Sequence, residues 1–141
     1  MTLPKKSTIF PNAQRDADER GGILSIVDAP LKNVSIITCS PESIRSNHYH
    51  HEDFHFMYVM EGYIDYFYKD IDTDEICYFK VREGETIFTP PKEIHGTYFA
   101  DKTSLIVSSK NPRDQATYEA DTVRVEFITE SKIIEMLENC G

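Results

Sequence analysis

The chain has 141 residues, with 15 Lys plus Arg against 24 Asp plus Glu and a formal charge of -9, a length that fits one domain with a real core and leaves no room for a second catalytic unit. An acidic surface repels a phosphate backbone wherever it is not locally basic, so nucleic acid is an unfavourable partner. No window approaches the ~20 apolar residues needed to cross a bilayer, and Met1-Thr2-Leu3-Pro4-Lys5-Lys6 leads into no apolar stretch of signal-peptide length, so the expectation is a soluble cytoplasmic protein without a membrane partner.

Residues 1–22 carry Lys5-Lys6, Pro11, Asp16, Asp18, Glu19, Arg20 and the Gly21-Gly22 pair but few apolar positions, and are expected to be an arm or loop, with order beginning near Ile23 and the domain running over 23–141. Short runs rich in Val, Ile, Tyr and Phe follow at 23–27, 34–39, 54–60, 63–68, 76–81, 86–89, 97–99, 104–108 and 123–128, separated by turn formers such as 70–74 and 82–84. Many short strands with hardly any helical period between them predict an all-β sandwich or barrel. One helix is predicted, at the end, where Ser131 can cap a run that places Ile133, Ile134, Met136 and Leu137 on a single face against the barrel. Cys39, Cys77 and Cys140 are widely spaced and odd in number, which argues against both a disulfide framework and a thiolate zinc knot; Cys39 and Cys77 read as core filler.

Five histidines carry the functional signal. His48, His50, His51 and His55 fall in one eight-residue stretch, and His95 follows a turn stiffened by Pro90-Pro91. Side chains alternate across a strand, so His48 and His50 share a face and His51 points away; His51-Glu52-Asp53 reads as a break that resets the register before His55. Glu52 and Asp53 read as turn residues, with Glu52 close enough to support the cluster. Imidazoles converging from separate strands are the pattern of a metal site with His48, His50, His55 and His95 as ligands. Iron, manganese, nickel and zinc all suit such a divalent transition-metal site.

These residues resemble the cupins, whose two motifs are His-x-His-x(3-4)-Glu-x(6)-Gly and Gly-x(5)-Pro-x-Gly-x(2)-His-x(3)-Asn. Here the chain reads His48-x-His50-x(4)-His55-x(6)-Gly62 and Gly84-x(5)-Pro90-x-Lys92-x(2)-His95, within residues 45–99. The resemblance implies a single-domain cupin jelly-roll barrel with a short C-terminal helix. The family glutamate is replaced by His55, the second-motif glycine by Lys92 and the closing asparagine by Phe99, and a glycine expected six positions before His48 is Glu42. A four-histidine site lacks the carboxylate's negative charge, so an ion held there would be the stronger Lewis acid.

A second resemblance extends upstream. Asp18-Glu19-Arg20-Gly21-Gly22-Ile23 and Arg45-Ser46-Asn47-His48-Tyr49-His50 are similar to segments of the nucleotide-sugar 3,4-ketoisomerases and related deoxysugar epimerases, with Ser46 and Tyr49 in place of a glycine and an alanine. This implies histidines acting as acid and base on a keto-sugar: His48 or His50 as the base, and Arg20 or Arg45 holding an anionic intermediate or diphosphate. The expected function is therefore an isomerase or epimerase on a small sugar or keto acid, with an iron-dependent dioxygenase or a non-catalytic ligand-binding cupin as alternatives. Tyr58, Tyr63 and Tyr98 lie near the motif ends and read as core packing. Open strand edges and an apolar outer face favour a homodimer, with the N-terminal arm able to reach the partner.

Overall fold

In the computed structural model, which describes residues 2–140, inward and outward side chains alternate along antiparallel strands that form two facing five-stranded sheets. The strands in chain order are β1 (Thr8–Phe10), β2 (Ala13–Asp18), β3 (Gly21–Ser25), β4 (Asn33–Cys39), β5 (Ser43–His50), β6 (His55–Glu61), β7 (Tyr63–Asp70), β8 (Cys77–Arg82), β9 (Thr86–Thr89), β10 (Glu93–Phe99), β11 (Thr103–Ser109) and β12 (Thr122–Arg124); α1 (Gln115–Asp121) and α2 (Ile133–Cys140) lie near the end. One sheet has the order β1-β9-β6-β11-β4 and the other β12-β5-β10-β7-β8, while β2 and β3 pair only with each other. This is an all-β jelly roll.

The alternation sets what fills the barrel. Met57 and Val59 of β6, Ile64 and Tyr66 of β7, Ile87 of β9, Phe99 of β10, and Leu105 and Val107 of β11 form the interior cluster, all buried. Their burial removes several hundred Å² of apolar surface from water at about 25 cal/mol per Å². The opposite face of the second sheet is covered by the C-terminal segment: Phe127, Ile128 and Ile133 pack on Phe67 and Ile94, with Met136 and Leu137 alongside. Phe67 and Ile94 sit one residue from the inward positions Tyr66 and His95, as period-two alternation requires.

Several expectations need correction. Order begins well before Ile23: β1 pairs with β9 and packs Ile9 on the core and Phe10 on Phe56, while polar β2 is held by its backbone pairing with β3. Residues 43–50 form a strand and 93–96 extend β10. Residues 125–128 run on from β12 as covering chain rather than strand. A second helix, α1, was not foreseen; Asp114 caps it by accepting from Thr117 N at 2.9 Å. On α2, Ile134 is 70% exposed rather than inward, and Ile133 takes the buried place. Cys39 is buried, as expected of core filler, whereas Cys77 and Cys140 are half-buried.

Two departures from the family pattern have a backbone meaning. Glu42 and Lys92 occupy the expected glycine positions with φ of +63° and +60°, a left-handed conformation that costs an L-residue with a Cβ about 1–2 kcal/mol. Each is held by its own N–H, from Glu42 to Phe99 O and from Lys92 to His50 O, both at 2.7 Å. The family glycine at Gly62 is kept, and a Cβ there would lie 2.6 Å from Lys102 O. Replacing Lys92 or Glu42 by glycine is therefore expected to raise stability by about 0.5–1 kcal/mol each, the relief of strain less glycine's larger unfolded-state entropy. A urea midpoint that rises at unchanged slope would show it, and a lower midpoint would count against the left-handed assignment.

Candidate functional site

The cluster begins with a bulge. At Ser46 and Asn47, φ is +71° and +56°, and the pairing of β5 with β10 slips from His95↔His48 to Gly96↔Ser46, leaving Asn47 as the extra residue. Asn47 is pinned outside the barrel: its amide donates to Ile128 O at 2.8 Å, its carbonyl oxygen accepts from Ile128 N at 3.0 Å, and its backbone oxygen accepts from Val125 N at 2.9 Å. Gly96 leaves the space for this clamp, since a Cβ there would lie 2.8 Å from Asn47 Oδ1. Beyond the bulge, His48 and His50 turn inward together and His51 is exposed.

The break at 51–53 is built by Asp121 at the end of α1. Its carboxylate accepts from Glu52 N and Asp53 N, both at 3.0 Å, and its backbone oxygen accepts from His51 N at 3.0 Å. This reset delivers His55 to the interior at the first position of β6. Asp53 is more than a turn residue: it is 4% exposed, accepts from His55 Nε2 at 3.0 Å, and accepts from Asn111 N at 3.0 Å. The carboxylate supporting the cluster is thus Asp53 and not Glu52, which is exposed. His95, on β10, lies across from His48.

The structure brings four imidazoles together. Ring centroids are 4.6 Å apart for His48 and His50, 4.7 Å for His48 and His95, 4.8 Å for His50 and His55 and 6.0 Å for His50 and His95. Hydrogen bonding fixes the tautomers of His95 and His50. Glu93 O can only accept, so at 3.1 Å His95 Nδ1 carries the proton and its Nε2 the lone pair. Thr122 Oγ1 gives its proton to Tyr118 O at 2.6 Å, so at 3.3 Å it accepts from His50 Nδ1, which leaves the lone pair on His50 Nε2. That atom is buried without a hydrogen-bond partner among the described residues. Such an orphan is costly unless something else fills it.

Burial, followed by the mutual repulsion of neighbouring imidazoles, pushes His48 down to about 2. Burial and then His55 push His50 down to about 4, against the pull of Asp53 and Asp121. Burial likewise holds His95 at about 3. Burial raises the Asp53 carboxyl, but the hydrogen bond and charge of His55, with Asn111 N–H, outweigh it and hold Asp53 below the usual carboxylate range. At neutral pH His48, His50 and His95 are uncharged, each with a lone pair to offer.

His48, His50 and His95 present ligand atoms that all lie within 4.8 Å of one another, a donor set of neutral buried imidazoles that fits a divalent transition metal. His55 stands beside them with Nε2 directed to Asp53, leaving Nδ1 as its unprotonated nitrogen in the neutral ring. His50, Asp53 and Asp121 also group within that distance, but both carboxylates already accept backbone N–H groups and fit an ion less well.

The cavity over the cluster is lined by Arg45, His48, His55, His95, Arg113 and Tyr118, among others. Arg45 therefore belongs to the site, and its guanidinium donates to Thr38 O at 3.1 Å. Arg20 does not line the cavity: it sits on the exposed β2–β3 turn, paired with Asp18 at 2.6 Å. Tyr58, Tyr63 and Tyr98 do not line it either. The phenol that does is Tyr118 on α1, its ring 5.5 Å from that of His50 and beneath the Arg113 guanidinium at 4.9 Å. Neither Tyr118 nor Arg113 was foreseen, although Asp114-Gln115-Ala116-Thr117 carries the helix-start signal that would have placed them.

The neutral imidazoles make stability depend on pH. Unfolded histidine binds a proton near 6.5, whereas the folded values for His48, His50 and His95 are about 2, 4 and 3. Below 6.5 the unfolded state takes up protons that the folded state refuses, so stability present above 6.5 is lost as pH falls toward 4 and below, at up to about 1.4 kcal/mol per pH unit for each imidazole. With a chelator present, Tm is expected to fall steadily from pH 6.5 to 4.5 and to fall less steeply for His95→Asn. A flat profile would contradict the buried neutral cluster.

Comparison with known proteins places this geometry in context. The polysaccharide biosynthesis C-terminal domain family matches residues 16–111, whereas no curated protein gives a significant match. Among solved structures, the sugar 3,4-ketoisomerase QdtA from Thermoanaerobacterium thermosaccharolyticum, in complex with TDP, has a TM-score of 0.69 at 18% identity, over 97% of this chain and 98% of that one. A 3,4-ketoisomerase from Helicobacter canadensis gives 0.68 at 15% identity, over 94% and 97%. The capsular polysaccharide assembling protein CapF from Staphylococcus aureus gives 0.63 at 21% identity, over 84% of this chain and 33% of CapF, so the chain spans about a third of that protein's length. At these identities the likeness is one of fold. The family match covers well over half of the residues, and the chain belongs to the polysaccharide biosynthesis C-terminal domain family.

Proposed function

We propose that this protein is an isomerase or epimerase that takes a proton from the carbon beside the ketone of a nucleotide-linked sugar and returns one to the resulting enediolate. The observation that carries the reading is the unpartnered lone pair of His50 Nε2, buried among neutral imidazoles that border a cavity flanked by two arginines. The names of the structural neighbours support it: two are 3,4-ketoisomerases, and a histidine-to-asparagine mutant of QdtA is held with TDP-4-keto-6-deoxyglucose. In this reading His50, or His48 beside it, takes the proton from the carbon next to the ketone, and the C–H electron pair moves into an enediolate. The imidazolium then returns the proton to the former carbonyl carbon, and the hydroxyl proton passes between the two oxygens. Atoms balance without a redox partner. Arg45 and Arg113 supply positive charge for the enediolate or the diphosphate.

We propose also that His48, His50 and His95, with His55 alongside, take a divalent transition metal. The convergence of three neutral ligand atoms supports this, as does the binding to CapF of the inhibitor 3-isopropenyl-tropolone, since tropolones as a class chelate metals through adjacent oxygens. A bound ion would act as a Lewis acid on the ketone oxygen. Free base and ligand compete for the same lone pair, so the metal content of active protein decides between them.

Both readings are tested on one tag-free preparation. Incubated with dTDP-4-keto-6-deoxyglucose in D2O, the protein is expected to place deuterium beside the ketone and form a keto isomer without oxygen uptake, and His50→Asn to slow this by about 100-fold or more. Elemental analysis is expected to find a stoichiometric divalent metal that His50→Ala and His95→Ala lose and His51→Ala keeps. Oxygen consumption would favour a dioxygenase; binding without exchange would favour a non-catalytic cupin.

We further propose a homodimer. The β2–β3 hairpin leaves Ile23 60% and Leu24 44% exposed, and β4, an open sheet edge, leaves Val34 67% and Ile36 71% exposed; unpartnered apolar strands of this kind are ordinarily covered. Light scattering should give twice the chain mass, and Val34→Lys with Ile36→Lys should give the monomer. A wild-type monomer at micromolar concentration would refute the pairing.

A further inference from the structure

The site described above uses one side of His95. The other side rests on a buried polar chain that begins in the N-terminal segment, just before β1. Ser7 is 3% exposed, and both its backbone N–H and its hydroxyl reach the carboxyl of Glu93, which is also 3% exposed. The Ser7 hydroxyl is 2.7 Å from Tyr66 Oη, and Tyr66 Oη is 2.7 Å from Thr89 Oγ1. Tyr66, fully buried, lays its ring parallel to that of His95, at 7° and 6.2 Å between centroids. Glu93 closes the loop, because its backbone oxygen is the acceptor that fixes the His95 tautomer.

The direction of the chain follows from donor counting. Ser7 Oγ donates to the Glu93 carboxyl; with that proton committed, Ser7 accepts from Tyr66, and Tyr66 from Thr89. Every hydroxyl proton has one place to go. The chain links three β-strands of both sheets to a residue outside them, and two of its members bear on one imidazole, Tyr66 through its ring face and Glu93 through its backbone carbonyl. Thr89 and Tyr66 could pack in a barrel without Ser7. Glu93 could not: with alanine at position 7 its buried carboxyl keeps the backbone N–H and loses the hydroxyl, its only side-chain donor among the described residues.

We propose that Ser7, Glu93 and Tyr66 are positioning residues that hold His95 in its Nδ1–H tautomer and fix its ring plane, so that the N-terminal segment is a working part of the site. The inference rests on His95 belonging to the reacting cluster, and its test includes a measurement that does not need turnover. Long-range proton–nitrogen NMR spectra of the protein without metal are expected to show one His95 tautomer in the wild type and a mixture in Ser7→Ala and Glu93→Gln, with Ser7→Thr restoring the single form. On the keto-sugar, Ser7→Ala is expected to lower kcat about 10- to 100-fold, the range typical of lost supporting contacts around a ligand histidine, with KM unchanged. Tyr66→Phe keeps the ring and breaks the chain, and is expected to fall between wild type and Ser7→Ala.

Asn12→Ala is the control. Asn12 ties the same arm to Gly84 O at 2.8 Å and to Thr86 Oγ1 at 2.6 Å without touching Glu93, so it should lower stability and leave the His95 signals as in wild type. Identical His95 spectra in wild type and Ser7→Ala would overturn the proposal, as would an equal disturbance by Asn12→Ala, which would reduce the effect to loss of the arm. A wild type that shows the tautomer dependence but no turnover would sink the isomerase reading and leave the positioning intact.

Discussion

Imidazoles packed ring to ring inside a barrel can be tolerated only uncharged, and much of the local architecture follows from that constraint. A buried imidazolium would lose its hydration and face three like neighbours, which is why His48, His50 and His95 titrate so far below 6.5. A neutral imidazole still has one N–H to satisfy, and the surroundings supply acceptors: Glu93 O behind His95, Thr122 Oγ1 behind His50 and Asp53 behind His55. Each acceptor comes from a different piece of chain, and one of them, Thr122, lies outside the histidine motifs. With the protons of His50, His55 and His95 held by these acceptors, His50 Nε2 is left buried with no hydrogen-bond partner among the described residues, next to the three imidazoles that line the cavity.

How much of this was legible depended on whether a signal was local. His48 and His50 share a face because alternation is a property of two residues, and the break at 51–53 was readable from its polar run. The bulge at Asn47 was not, because it depends on Gly96 and Ile128, far off in sequence. Asp53 read as a turn residue for the same reason: its burial follows from His55 and Asn111, and Asn111 lies on another strand's exit. β2 escaped notice because its side chains are polar and mostly exposed and pairing with β3 alone makes it a strand. At seven residues, α1 is too short for a period to show, and it carries the cavity's phenol and the carboxylate that shapes the break.

The two positions where the cupin motif has glycine and this chain has Glu42 and Lys92 show that pattern acting through backbone rather than side chain. A motif glycine ordinarily marks a place where the chain must enter the left-handed region, and Glu42 and Lys92 enter it still. Their side chains point to solvent, so the cost is conformational and local. Lys92 gives its N–H to His50 O and so ties the turn before His95 to the strand that carries His48 and His50. The strained turn is one of the cross-links that keep the two histidine stretches in register, which explains why the conformation survives the loss of the residue that adopts it most easily.

The replacement of the family glutamate by His55 looks, from the sequence, like the loss of a negative charge from the cluster. The structure moves that charge back by one layer. Asp53 sits 3.0 Å from His55 Nε2, and Asp121 has an oxygen 3.7 Å from His50 Nδ1. A carboxylate behind an imidazole raises the basicity of the far nitrogen and stabilises positive charge that develops on the ring, whether that charge arrives as an abstracted proton or through a bound cation. It does so without occupying a place at the cavity wall. The cluster thus keeps two carboxylates behind the imidazoles, while Arg45, bonded to Thr38 O, and Arg113, over the Tyr118 ring, line the cavity beside them. Carboxylates behind the imidazoles and guanidiniums beside the cavity let positive charge develop on a ring while no carboxylate takes a place among the lining residues.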